Sequence, residues 1–295
     1  MDFDAELIRA LQEDGRASIR SLAALLGQPR AAVAARLHAL LQDRTVRVVA
    51  AVDPALLGQH VLAHVSLRTA GPVQPLAERL AALPETVLVS AVGGLHDIVT
   101  EVRVGTVEEL HSLLARVRSL PQVHDINTLI YTSVLKGFFV SAYRGDLRPD
   151  EIDTSLIELL QQDGRMTFRA LGEAVRLSPS AVSTRVQRLL DAGVITISTV
   201  EARGLEHRQL SMGVGMSLSG DDSSVLEVLR THRGVDFAAR TLGRFDAIAT
   251  LVEPSTGALY AALERLRSLP GITATESWPH LAVVKEDYAR TLHRS

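Results

Sequence analysis

The sequence contains no cysteine, which excludes a disulfide framework, a thiolate metal site and a cysteine nucleophile. Long apolar runs are missing as well. Although 46% of the residues are hydrophobic, no uninterrupted stretch approaches the roughly 18 to 20 residues needed to cross a bilayer. There is no excess of positive charge, the net being -3, and on average this weighs against a nucleic-acid binder, since phosphate neutralisation needs cations. Lysine is nearly absent, with Lys136 and Lys285 alone, and the dominance of arginine and alanine points to a GC-rich genome. The chain opens Met1-Asp2-Phe3-Asp4, with acid where a secretory signal would carry positive charge, so a cytoplasmic protein with no membrane partner is expected.

Local distribution overrules the average charge. From Arg16 to Arg47 there are six arginines against Asp43, and from Arg165 to Thr196 five against Glu173 and Asp191. Two separated basic stretches are the electrostatic footprint of a nucleic-acid binder.

The two stretches belong to an internal repeat. At an offset of 149, Asp14-Gly15-Arg16 meets Asp163-Gly164-Arg165, Gly94 meets Gly243, Asp97 meets Asp246, and Ser119-Leu120-Pro121 meets Ser268-Leu269-Pro270. Even the two lysines fall on this offset. The period is far longer than a solenoid repeat of about 20 to 50 residues, so a whole multi-element unit is duplicated.

In the first copy Leu7, Ile8 and Leu11 have helical spacing and Gly15 is expected to close that helix. Ser18 opens a second helix that ends at Gly27, and a third follows with Val33, Leu37, Leu40 and Leu41 on one side. Three short helices with a glycine-containing turn before the last match the helix-turn-helix pattern. Val46 to Val52 reads as a β segment, a candidate wing. In the second copy the third helix starts at Leu177-Ser178-Pro179-Ser180, where Ser178 can cap and Pro179 takes the first position. With Val182, Val186, Leu189 and Leu190 inward, Ser180, Ser183, Thr184, Gln187 and Arg188 remain outside, able to reach phosphates and base edges. The first copy has Gln28-Pro29-Arg30-Ala31-Ala32 instead, so phosphate contacts through Arg30 and Arg36 are expected there, with less base reading.

Downstream, strands are expected at 60–68, 86–92, 97–104 and 122–132, with helices at 72–83 and 106–120, the latter opened by a Thr106 to Glu109 capping box. This βαββαβ order is the ferredoxin-like arrangement, and its second copy runs from 209 to 281. One face of each sheet lacks cover, so the two faces are expected to pack on each other or on another chain. The expected fold class is α+β: a winged-helix-like helix-turn-helix at 1–52, an effector domain at 58–136, a linker at 137–152, a second helix-turn-helix at 153–202 and a second effector domain at 207–287.

Catalytic signatures are wanting. There is no Gly-x-Ser-x-Gly, Walker loop or dinucleotide glycine pattern. His60 and His64 are four apart but fall in a strand with apolar neighbours, and Glu108-Glu109 suit the first turn of a helix. No catalytic residue, metal or cofactor is expected.

The Asp-Gly-Arg helix ends, the Leu-Ser-Pro-Ser start and Arg185-Val186-Gln187-Arg188-Leu189 running into Ala192-Gly193-Val194-Ile195 resemble the Lrp/AsnC family of feast/famine regulators, over both copies. The resemblance implies a bacterial, nucleoid-associated regulator that binds double-stranded DNA, with Ser178, Ser180, Ser183, Thr184, Arg185 and Arg188 at the DNA. It also implies an amino acid or similar small effector at the loop where the family carries glycine followed by aspartate, here Gly94 to Asp97 and Gly243 to Asp246, with Arg244 beside it. There glycine would let the backbone approach a carboxylate and aspartate would pair with an ammonium; the same residues also suit a plain tight turn. One two-copy chain counts as a built-in dimer, and a dimer or tetramer of chains is implied. The competing class is an amino-acid-sensing or protein-interaction module whose DNA binding is weak or lost.

Overall fold

A computed structural model of the chain describes residues 3–43, 45–137, 143, 145, 147–201 and 210–287. Met1, Asp2 and Arg44, parts of the linker expected at 137–152, and the domain and strand ends expected at 202, 207 and 209 lie outside the described residues.

The first copy begins with α1 (Phe3–Glu13), α2 (Ile19–Leu26), α3 (Arg30–Gln42) and β1 (Val46–Val52). Its effector region comprises β2 (Val61–Thr69), α4 (Val73–Ala81), β3 (Thr86–Val92), β4 (Ile98–Val104), α5 (Val107–Arg118) and β5 (Val123–Lys136). The second copy repeats the order as α6 (Glu151–Gln162), α7 (Phe168–Val175), α8 (Pro179–Asp191), β6 (Ile195–Glu201), β7 (Leu210–Leu218), α9 (Ser223–Thr231), β8 (Val235–Leu242), β9 (Ala247–Glu253), α10 (Thr256–Arg267) and β10 (Ile272–Glu286). The chain divides into two compact units, and each unit takes one half from each copy.

In the first unit the two helix-turn-helix modules are joined by antiparallel pairing of β1 with β6, from Val46 opposite Glu201 to Val52 opposite Ile195. The expected wing is therefore corrected to a pairing strand. Its apolar side packs on the other module: Val48, Ala50 and Val52 share a core with Leu156, Leu160, Val182, Val186 and Leu189. Gly15 also has a different role from helix closure, since α1 has already ended at Glu13. Its N-H donates to the Ile197 carbonyl at 3.3 Å, as that of Gly164 does to Val48 at 2.8 Å. A β-carbon on Gly15 would lie 2.8 Å from the Ile197 oxygen, and one on Gly164 3.0 Å from the Val48 oxygen, so only glycine admits these strands. The neighbouring arginines reach across reciprocally. Arg16 donates to the Gly164 and Met166 carbonyls at 2.6 and 3.0 Å; Arg165 donates to Gly15 and Ala17 at 2.7 and 2.9 Å. The repeated Asp-Gly-Arg motif is thus the seam between copies.

The second unit is a closed eight-stranded barrel in the order β10-β3-β4-β2-β5-β8-β9-β7. Each ferredoxin-like half is recognisable within it. The halves are joined edge to edge, β5 with β8 and β10 with β3, rather than as two stacked faces. This is why β5 runs on to Lys136, past the expected end at 132: its last residues pair with the other copy. Closure leaves neither sheet with an open edge. Helices α4 and α5 cover one half through Leu76, Leu80, Leu110 and Leu113. Helices α9 and α10 cover the other through Leu226, Leu229, Leu259 and Leu263. The two lysines strap the halves together, Lys136 donating to the His232 carbonyl at 2.8 Å and Lys285 to Leu83 at 3.1 Å. The Thr106 side chain accepts from Glu109 N-H as expected, but the Glu109 carboxylate returns to Gly105 rather than to Thr106 itself.

Candidate nucleic-acid interface and ligand loops

The second reading helix, α8, is built to begin abruptly. The Ser178 hydroxyl accepts from the Ala181 N-H at 3.2 Å and Pro179 occupies the first turn, satisfying a donor that the helix leaves unpaired. Val182, Val186 and Leu189 are buried in the module core. Ser178, Ser180, Thr184, Gln187 and Arg188 are exposed, while Ser183 and Arg185 are half-buried. Of the row expected outside, Ser180, Thr184, Gln187 and Arg188 are exposed, and Ser183 is only partly so.

The basic residues are more constrained than their spacing implies. Arg185 bonds Asp150 and Asp153 at 2.7 and 2.8 Å, and Arg188 bonds Asp153 at 2.5 Å. Asp153 is fully buried, so α6 supplies a carboxylate that clamps the reading helix from behind. Backbone hydrogen bonding at Asp153, with Arg185 beyond it, holds the Asp150 carboxyl below its ordinary range. Arg36 makes the equivalent pair with Asp4 on α1. Arg36 and Arg185 therefore orient their helices, and Arg188 keeps a partly exposed guanidinium, 47% accessible. Sequence reasoning missed the acidic partners, although Asp4 and Asp153 fall on the repeat offset.

The first reading helix, α3, starts at Pro29 without a side-chain cap. Arg30, Ala31, Ala32, Ala34, Ala35 and His38 are exposed. Its outward surface is mostly alanine.

In the barrel, Gly94 and Gly243 both take positive φ, at 115° and 144°, which a side chain resists. Each loop crosses the other copy. A β-carbon on Gly94 would lie 3.6 Å from the Ser277 oxygen, and one on Gly243 2.6 Å from the Leu129 side chain. The Asp97 carboxylate accepts the Thr69 N-H and the Asp246 carboxylate that of Leu218, each at 2.7 Å. Both aspartates thus have a structural bond to a neighbouring strand. Arg244 pairs with Glu276 and lies over the Phe245 ring at 4.3 Å, and Phe245 is buried.

Inward-facing positions carry a polar cluster that the sequence did not advertise. His64 is buried and contacts Trp278 at 5.6 Å between ring centres. The Tyr131 hydroxyl donates to Glu101 at 3.0 Å, and His280 lies 2.9 Å from the Ser90 hydroxyl. The usable signal was strand parity: Leu62, His64 and Ser66 alternate with Ala63, Val65 and Leu67, whose side chains pack under the helices.

Comparison with known proteins gives a consistent picture. The model of the AsnC-type helix-turn-helix domain matches residues 2–41 and 150–190, and that of the Lrp/AsnC ligand binding domain matches 60–138 and 214–290. An uncharacterised HTH-type transcriptional regulator of Pyrococcus abyssi is 31% identical over 145 residues, 48% of this chain and 92% of that protein. The HTH-type transcriptional regulator LrpA of Mycobacterium tuberculosis is 32% identical over 132 residues, 44% of this chain and 88% of its own length. Among solved structures, the siroheme decarboxylase NirDL aligns with 99% of this chain and 94% of its own at a TM-score of 0.62 and 17% identity, a likeness of fold. Among the described residues no helix is long and apolar enough to cross a membrane.

Proposed function

Since the chain belongs to the Lrp/AsnC family, we propose that it is a sequence-selective, DNA-binding transcriptional regulator working in the cytoplasm on the nucleoid, with an amino acid or related small molecule as its effector. The observation that carries this reading is the first unit: two helix-turn-helix modules held as a pair by β1 and β6, with a hydrogen-bonding row exposed on α8. Paired modules suit half-sites about one helical turn, roughly 34 Å, apart. Ser178, Ser180, Ser183, Thr184 and Arg188 face the groove in this reading, Arg30 takes phosphate, and Arg36 and Arg185 set helix orientation.

Effector response is assigned to the loops of Gly94, Asp97, Gly243, Arg244 and Asp246. An effector acts by binding one assembly of chains, a dimer or tetramer, better than another.

The test is titration of the full chain with duplex DNA over a range of salt. Regulators release counterions from phosphates, so affinity should fall steeply and linearly on logarithmic axes. Asp246→Ala should remove the amino-acid response and keep basal DNA binding. Absence of any DNA affinity would shift the reading to a sensing module, or to chemistry at the inward cluster of His64, Glu101, Tyr131 and His280.

A further inference from the structure

The two reading helices of one paired unit differ in what they can recognise. We propose that the DNA this chain selects is correspondingly asymmetric: one half-site chosen base by base by α8, and a neighbouring half-site held through its phosphates by α3, at a spacing set by the paired strands. This rests on the DNA-binding reading above and extends it to the kind of operator.

The repeat offset places Ser180, Thr184, Gln187 and Arg188 opposite Ala31, Ala35, His38 and Ala39. The first four are exposed and each carries a donor or acceptor. Of the second four, three are alanines, whose methyl groups can touch a thymine methyl but cannot read the donor and acceptor pattern of a base edge. His38 alone on that row can hydrogen-bond. Exposed cations are particular to each module: Arg30 and Arg47 in the first stand where the second copy has Pro179 and Thr196, and Arg176 and Arg188 in the second stand where the first has Gly27 and Ala39, so the first module keeps its charge while lacking the donor row. Charge without a matching donor pattern gives affinity that is indifferent to sequence.

The spacing between the two readers is a property of the fold. The ladder from Val46–Glu201 to Val52–Ile195, the reciprocal Arg16 and Arg165 bonds and the core that β1 shares with the second module make the pair one body. Two identical chains related by a two-fold axis must read the same bases twice and so require an inverted repeat. Here the two readers are encoded separately, and that requirement is gone.

The experiment is selection of binding sites from a random duplex pool by the full chain, followed by affinity measurements across salt for variants at exposed positions. The expected consensus has sequence preference in one half only. Arg30→Ala should weaken binding to all sequences alike and lower the salt slope by about 1. Arg188→Ala should relax base preference about tenfold. Grafting Ala31→Ser, Ala35→Thr, His38→Gln and Ala39→Arg into α3 should turn the selected site into an inverted repeat. A wild-type consensus that is already an inverted repeat with equal preference in both halves would overturn the asymmetry while leaving the regulator intact, and an unchanged salt slope in Arg30→Ala would overturn the phosphate grip. Failure to enrich any sequence, with no salt-dependent binding, would overturn both this inference and the DNA-binding reading.

Discussion

His64 sits inside the barrel with its ring against Trp278, and three neighbours, His280, His96 and Arg244, disfavour its charged form in addition to burial. Burial first, and then these neighbours, push its pKa down to about 3. An unfolded chain would protonate this histidine near 6.5. Because the folded value is the lower one, the unfolded state takes up the proton first. The stability contribution is complete above about pH 6.5 and is lost as pH falls from there toward 3, at about 1.4 kcal/mol per pH unit. Urea unfolding at pH 7 and pH 4.5 should therefore show a steeper loss for the native chain than for His64→Leu. Equal losses would mean that the imidazole is not held neutral in the folded state. Several such residues were visible in the sequence without their roles. The two lysines and Asp-Gly-Arg stood out by repetition, yet their partners lie in the other copy, roughly 100 to 200 positions away, where no local pattern reaches.

The starts of α3 and α8 offer a matched pair of helix ends in one molecule. Ser178 caps α8, whereas Pro29 gives α3 no side-chain acceptor. Ser178→Ala should cost about 1 kcal/mol in denaturant unfolding, while Pro29→Ala should cost no cap. A negligible effect of Ser178→Ala would mean that Pro179 alone sets the start of α8. Elements of this kind were legible because their signals are local: apolar spacing, a capping serine, a glycine at the end. Thr86 to Val92 was placed to the residue, and the order βαββαβ was complete in both copies. What periodicity leaves open is which edge a strand will meet. The segment Val46 to Val52 has the pattern of a wing and of a pairing strand alike, and only the shared core with α6 and α8 decides between them. The same gap explains β5, whose tail beyond Thr132 has its reason in β8. For the candidate interface, the exposed row of α8 followed from spacing, whereas the clamp of Asp153 on Arg185 and Arg188 required knowing that α6 crosses behind it.

Both paired units are closed within one chain, so what would be an association between subunits is here part of folding. On dilution below the range in which chains associate, the thermal midpoint should therefore level off at a constant value. A midpoint that keeps falling with dilution would place the closure of the units in contacts between separate chains. The seam between copies also sets a timetable during synthesis. The free edges of the first half, on β1, β3 and β5, find their partners only in β6, β10 and β8, and β10 ends at position 286. At about 5 to 20 residues per second, a nascent first half would wait roughly 7 to 30 seconds with those edges unpaired. During that interval the ribosome exposes a half-built barrel whose strands are competent to pair with the wrong neighbour, including a first half emerging from the next ribosome on the same message. The yield of correctly closed chains should therefore depend on translation rate and chaperone supply.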